Sequence, residues 1–86
     1  MQWTADEVHV EVVRLLEPFN PQSVELRPET DLAADLGMDS VAAMNMVMEV
    51  EDRFEIDIPI SQLPDVKTLQ DLVDVVVAEL SKKRAQ

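Results

Sequence analysis

Along the chain, apolar residues recur at two helical spacings and then lose them between prolines. Val8, Val12, Leu15, Leu16 and Phe19 fall three or four apart, which predicts an amphipathic helix. Thr4 with Glu7 three residues on makes a capping box at its start, and Trp3 against Val8 supplies the hydrophobic staple. Pro18 and Pro21 stop it, so the first helix spans about residues 4–17. Residues 18–38 have no period, only Val24, Leu26, Leu32 and Leu36 scattered among prolines. They read as a long loop pinned by those side chains, and a loop of that length is either functional or hides a helical turn.

A second helix follows over about 40–54, with Asp39 as N-cap. Ala43, Met46, Val47, Val50 and Phe54 share one arc, the core face. Val41, Met44 and Met48 form another stripe roughly 130° away, beside Asn45, Glu51 and Asp52. A bundle helix needs one apolar face. The second stripe is therefore either covered by neighbours or kept open for partners, a use to which methionine's pliable thioether is suited. Pro59 and Pro64 bracket one short helix at about 60–64, and Thr68 caps a last helix over about 68–81 with Leu69, Leu72, Val73, Val76 and Leu80 on one face. Val75–Val77 have strand propensity, but the period around them is helical. The expected fold is all-α: a four-helix bundle of three main helices, one short helix and a long first loop, in a single domain over 1–86.

Charge narrows the function. The 86 residues sum to −11, and residues 1–81 hold all 18 acids against four bases. Such a surface repels nucleic acid and anionic lipid, and either serves solubility or steers the protein toward basic partner surfaces. With no cysteine there is no disulfide or thiolate metal site, and no metal-loop spacing occurs among the acids. No apolar run reaches membrane-span length and no signal peptide is evident, so a cytoplasmic, monomeric protein is expected. The single histidine, His9, lies on a helix without a catalytic motif, which argues against a nucleophilic serine enzyme.

Candidate chemistry concentrates in "LGMDSV". Ser40 stands in the first turn of the second helix, where unpaired amides and the helix dipole favour a phosphate. Gly37, the only glycine, can adopt a backbone conformation closed to other residues and keeps bulk away from a group on Ser40. Gly, Asp and Ser are equally ordinary helix-start residues.

"DLGMDSV" followed by "MVMEVEDRFEIDIP" resembles the acyl carrier proteins, whose attachment motif is Asp-Ser-Leu and whose second helix ends in an acidic stretch, a phenylalanine and an Ile-Pro pair. The resemblance covers the chain from the first helix to Leu80. It implies a carrier and not an enzyme, with 4'-phosphopantetheine esterified to Ser40 by a magnesium-dependent phosphopantetheinyl transferase drawing on coenzyme A. The arm's thiol then holds acyl groups as thioesters. Asp39 is the preceding acid, Gly37 belongs to the same site, and Val41, Met44, Met48, Asn45, Glu51 and Asp52 take the positions read by acyl-transferring or acyl-modifying enzymes with basic docking patches. The bundle interior of such carriers can shelter the acyl chain. Val41 departs from the usual leucine, and Ala42, Ala43 and Asn45 make the early helix less acidic than in housekeeping fatty-acid carriers. These departures suggest a specialised lipid, fatty-acid or polyketide route, and the tail "SKKRAQ" reads as a solvated end. The competing readings are an acidic helical interaction module without cofactor, and a peptidyl or aminoacyl carrier, a class that usually has Gly or His before the serine.

Overall fold

The computed structural model describes residues 3–84. Helix α1, Ala5–Leu16, starts at a complete capping box: the Glu7 amide donates to Thr4 Oγ1 at 3.1 Å and the Thr4 amide to the Glu7 carboxylate at 2.9 Å. It passes into a 3-10 turn, Glu17–Phe19, as Pro18 breaks the α pattern. Helix α2 is Ser40–Phe54, a second 3-10 helix covers Ile60–Asp65, and α3 runs Leu69–Arg84. The short helix is thus 3-10, and α3 extends beyond the expected stop at 81.

Val8, Val12 and Leu16 of α1 meet Met46, Val47, Val50 and Phe54 of α2 and Leu69, Leu72, Val73 and Val76 of α3 in one buried cluster. Ile56 and Ile58, alternate residues of the extended link after α2, complete it. Trp3 stands edge-on to Phe54, with ring centroids 4.8 Å apart, and the Arg53 guanidinium lies 5.0 Å from the Trp3 ring. Arg53 also pairs with Glu11 at 2.6 Å, which ties the end of α2 to α1.

The long loop is held by more than its apolar residues. Leu32 and Leu36 are buried and Val24 and Leu26 half-buried, but polar side chains fix the path between them. The Asn20 side chain both donates to the Val24 carbonyl at 2.8 Å and accepts from the Val24 amide at 2.9 Å. Buried Thr30 accepts the Arg27 amide at 2.7 Å. A helix-like turn does lie within the loop: the Asp35 amide donates to the Asp31 carbonyl at 2.8 Å, and the Asp31 carboxylate accepts from the amides of Ala33 and Ala34. An isolated bridge, Asp31 to Thr68, with Leu32 N–H on the Lys67 carbonyl at 2.9 Å and Leu69 N–H on the Thr30 carbonyl at 3.0 Å, fastens this turn to the start of α3.

The basic tail differs from expectation. Lys83 donates to the Glu55 carbonyl at 2.7 Å, just where α2 ends in a left-handed residue, and Lys82 pairs with Glu79 at 3.1 Å. A lysine beside the negative end of a helix is favourably placed, so Lys83 joins α3 to α2 instead of standing free in solvent. Ala85 and Gln86 lie outside the described residues.

Candidate functional site

Helix α2 begins where the sequence places it. Asp39 is extended, and its carboxylate accepts the Ala42 amide at 2.8 Å. Its carbonyl accepts the Ala43 amide at 2.9 Å. Ser40 is the first helical residue and is exposed. The amides of Ser40 and Val41 have no carbonyl one turn upstream within the helix, so together with the dipole of a 15-residue helix they favour an anion at the Ser40 side chain.

Gly37 has φ +67°, and a Cβ there would meet nothing within 4 Å. Crowding by the protein is therefore not the reason for the glycine. The backbone conformation is, since it turns the chain from the Asp31–Leu36 turn into the cap of α2 and is costly for any residue with a Cβ. The open space beside Gly37 also leaves that side of the site clear for an attached group.

A cavity of about 350 Å³ opens between the loop, the first half of α2 and the second 3-10 helix; Ser40 does not line it, but Met38, two residues before, and Ala43 and Met44, one helical turn after, do. Met38, Ala43, Met44, Met46, Val47 and Leu63 give it a mainly apolar lining, with Asp31 and Lys67 as its charged residues. Of these only Met44 belongs to the second stripe of α2; the rest come from the core arc, the loop and the 3-10 helix.

The second stripe of α2 is uncovered: Val41 is 69% exposed, Met44 48% and Met48 58%, against 3% for Met46 on the core face. Asn45 and Asp52 are exposed alongside. Glu51 departs from its expected place on the partner face. It is half-buried, and its carboxylate accepts the amide of buried Ile58 at 2.7 Å. At 100° per residue Glu51 points only about 40° from Val47, so it borders the core arc and is used to hold the link that follows α2. Ile60, 77% exposed, is a surface apolar residue that sequence reasoning missed.

A family model described as "Phosphopantetheine attachment site" matches residues 10–76, most of the chain. The chain belongs to the acyl carrier protein family. It is 44% identical over 55 residues to a probable acyl carrier protein of Caulobacter vibrioides, covering 64% of this chain and 64% of that protein, so the match spans somewhat less than two thirds of that relative. With the acyl carrier protein of Trieres chinensis it shares 32% identity over 66 residues, 77% of this chain and 82% of that one. Its fold is similar to that of hexanoyl ACP from the actinorhodin polyketide synthase of Streptomyces coelicolor, with TM-score 0.67 and 95% coverage of both chains; at 23% identity this speaks to the fold alone. The helical architecture and the family agree. The chain is a carrier and not an enzyme, and the prosthetic group of its family is 4'-phosphopantetheine. The exposed hydroxyl, the anion-favouring helix start and the clear approach past Gly37 fit that group. Among the described residues no helix is long and apolar enough to cross a membrane, and no three potential metal ligands cluster.

Proposed function

We propose that Ser40 is the attachment residue and that the protein presents acyl groups to enzymes of a specialised lipid, fatty-acid or polyketide route. The observation that carries this reading is an exposed serine at the N-terminus of α2, whose first turn also contributes Ala43 and Met44 to a mainly apolar cavity of about 350 Å³. On a phosphopantetheinyl transferase, Ser40 Oγ loses its proton and bonds to the phosphorus that bears the pantetheine arm of coenzyme A, while the pyrophosphate linkage breaks and 3',5'-adenosine bisphosphate leaves. When attached, the arm supplies a thiol that holds the acyl group as a thioester. Asp39 fixes the helix start, and Gly37 sets the turn that presents it. The amides of Ser40 and Val41 favour the phosphodiester. The cavity is suited to an apolar acyl chain, whose burial is favourable by roughly 0.8 kcal/mol per methylene. Val41, Met44 and Met48, with Asn45 and Asp52 beside them, form the face that partner enzymes read, and the net charge of −11 steers the carrier toward basic patches on them. We place it in the cytoplasm as a monomer.

Incubating the apo protein with coenzyme A, magnesium and a broad-specificity transferase tests the carrier role. Intact mass should rise by one phosphopantetheine. A subsequent acyl transfer should add a group that hydroxylamine releases, as it does from a thioester. A protein that gains no mass, or that gains it but never holds a hydroxylamine-labile acyl group, is not working as this reading requires.

A further inference from the structure

Lys67 is the only basic residue between Arg53 and Lys82, and it lines the mainly apolar cavity of about 350 Å³. Its backbone is held on both sides: the amide donates to the Asp71 carboxylate at 3.1 Å, and the carbonyl accepts the Leu32 amide at 2.9 Å. The side chain therefore leaves from a fixed point on the cavity wall. Its ammonium is uncommitted. Among the described residues it makes no ion pair or hydrogen bond, whereas Lys82 pairs with Glu79 and Lys83 donates to the end of α2.

Two neighbouring acids are engaged elsewhere. The Asp31 carboxylate, which shares the cavity lining, accepts the amides of Ala33 and Ala34 at 3.0 and 2.7 Å. Asp71 accepts the amides of Lys67 and Thr68, and the charge of Lys67 is the least of the influences that hold its carboxyl down. Lysine offers three donors on a flexible stem and no acceptor, so what this ammonium lacks is an oxygen. Water serves it while the cavity is empty, since Lys67 is exposed. A saturated acyl chain entering the cavity displaces some of that water and offers no acceptor in return.

We infer that the cavity selects acyl chains with an oxo or hydroxyl group near the thioester over saturated chains of equal length, and that Lys67 is the specificity residue that donates to this oxygen. The inference deepens the proposed function and rests on Ser40 holding the arm and on the cavity taking the acyl chain. The position of the oxygen follows from burial: Leu32, Met46 and Val47 line the cavity as buried residues and Lys67 as an exposed one, so the ammonium stands toward the mouth, where the thioester end of a chain would lie. Its neutrality follows from charge. A carboxylate on the chain would face Asp31 in a protein of net charge −11, and that repulsion offsets what Lys67 offers. Lys67 thus reads the oxidation state of the chain, and the apolar lining reads its length.

Thermal melts of the acylated protein test this, because a cargo that fits only the folded cavity raises the melting temperature. Octanoyl, 3-oxooctanoyl and 3-hydroxyoctanoyl arms are loaded from their coenzyme A thioesters by a broad-specificity transferase onto the parent, Lys67→Met and Lys67→Arg. The apo forms should melt within about 2 °C of one another, as expected for an exposed residue. In the parent both oxygenated cargoes should melt about 4 °C or more above octanoyl, the shift expected of one hydrogen bond to a charged group. Lys67→Met should reverse that order, since the oxygen then enters an apolar mouth without a donor, and Lys67→Arg should keep it. An octanoyl form as stable as the oxygenated ones in the parent overturns the inference, and so does an order that survives Lys67→Met. If no cargo moves the melt from that of the unacylated holo protein, the cavity is not the acyl site. If the parent gains no mass, Ser40 is not the attachment residue, and the inference falls with either.

Discussion

Replacing Glu51 by Ala should damage the fold more than the partner face. Its carboxylate is the acceptor for the amide of Ile58, a buried residue, at 2.7 Å. Without it that amide has no comparable partner, and a buried unsatisfied donor costs about 1 to 3 kcal/mol. In a domain of this size each kcal/mol moves the melting temperature by about 4 to 8 °C, so Glu51→Ala should melt about 4 to 24 °C below the parent. Glu51→Gln keeps an acceptor oxygen but not the charge, and should lie between the two. Asp52→Ala is the control: Asp52 is exposed, and surface changes usually stay within about 0.5 kcal/mol. Thermal denaturation read at several protein concentrations is the assay, with exchange of the Ile58 amide proton as a local readout that should quicken in Glu51→Ala. If Glu51→Ala melts within about 2 °C of Asp52→Ala and the Ile58 amide is as protected as before, the bond from Glu51 does not hold the link.

Phe54→Ala should cost about 3 to 5 kcal/mol, a large part of the roughly 5 to 15 kcal/mol that holds a domain together, and it also removes the edge contact with Trp3; a near-normal melt would refute the packing. Met44→Glu with Met48→Glu should leave the melt nearly unchanged, since both are exposed, while slowing loading at least about tenfold; a collapsed melt would place them in the core. Hydrogen bonds from the amides of Lys67, first, and Thr68 hold the Asp71 carboxyl below its ordinary range. A depressed folded value contributes stability above the unfolded value of about 4 that is lost as pH falls through the folded one, so the deficit of Asp71→Asn should be largest at neutral pH and shrink below about pH 4. A deficit that grows on acidification would contradict this.

Most of the helical frame was legible because each of the three α-helices starts at a side-chain cap. Thr4 with Glu7, Asp39, and Thr68 with Asp71 all cap as their residue types suggest. The apolar period also resolved Val75–Val77 as helix against their strand propensity. The loop was harder. Its path depends on Asn20, Thr30 and Asp31 reaching backbone groups up to five residues away, and on the bridge from Asp31 to Thr68, which no local pattern encodes. At the site, the stripe of α2 could be read from the helical period, but Glu51 could not be assigned by angle alone, since it lies between stripe and core. Ile60 carried no local signal: the 3-10 helix that begins at that residue leaves it exposed. Gly37 has the left-handed backbone that its residue type permits, at φ +67°, with open space beside it.

The central claim is that Ser40 carries the prosthetic group. The decisive measurement is fragmentation mass spectrometry of the protein after loading from coenzyme A, with Ser40→Ala treated in parallel. The account predicts a phosphopantetheine addition on Ser40 in the parent, and in Ser40→Ala no addition with helix content nearly unchanged, because Asp39 caps α2. An addition mapped to another residue, or a Ser40→Ala protein that still gains the mass, would contradict it.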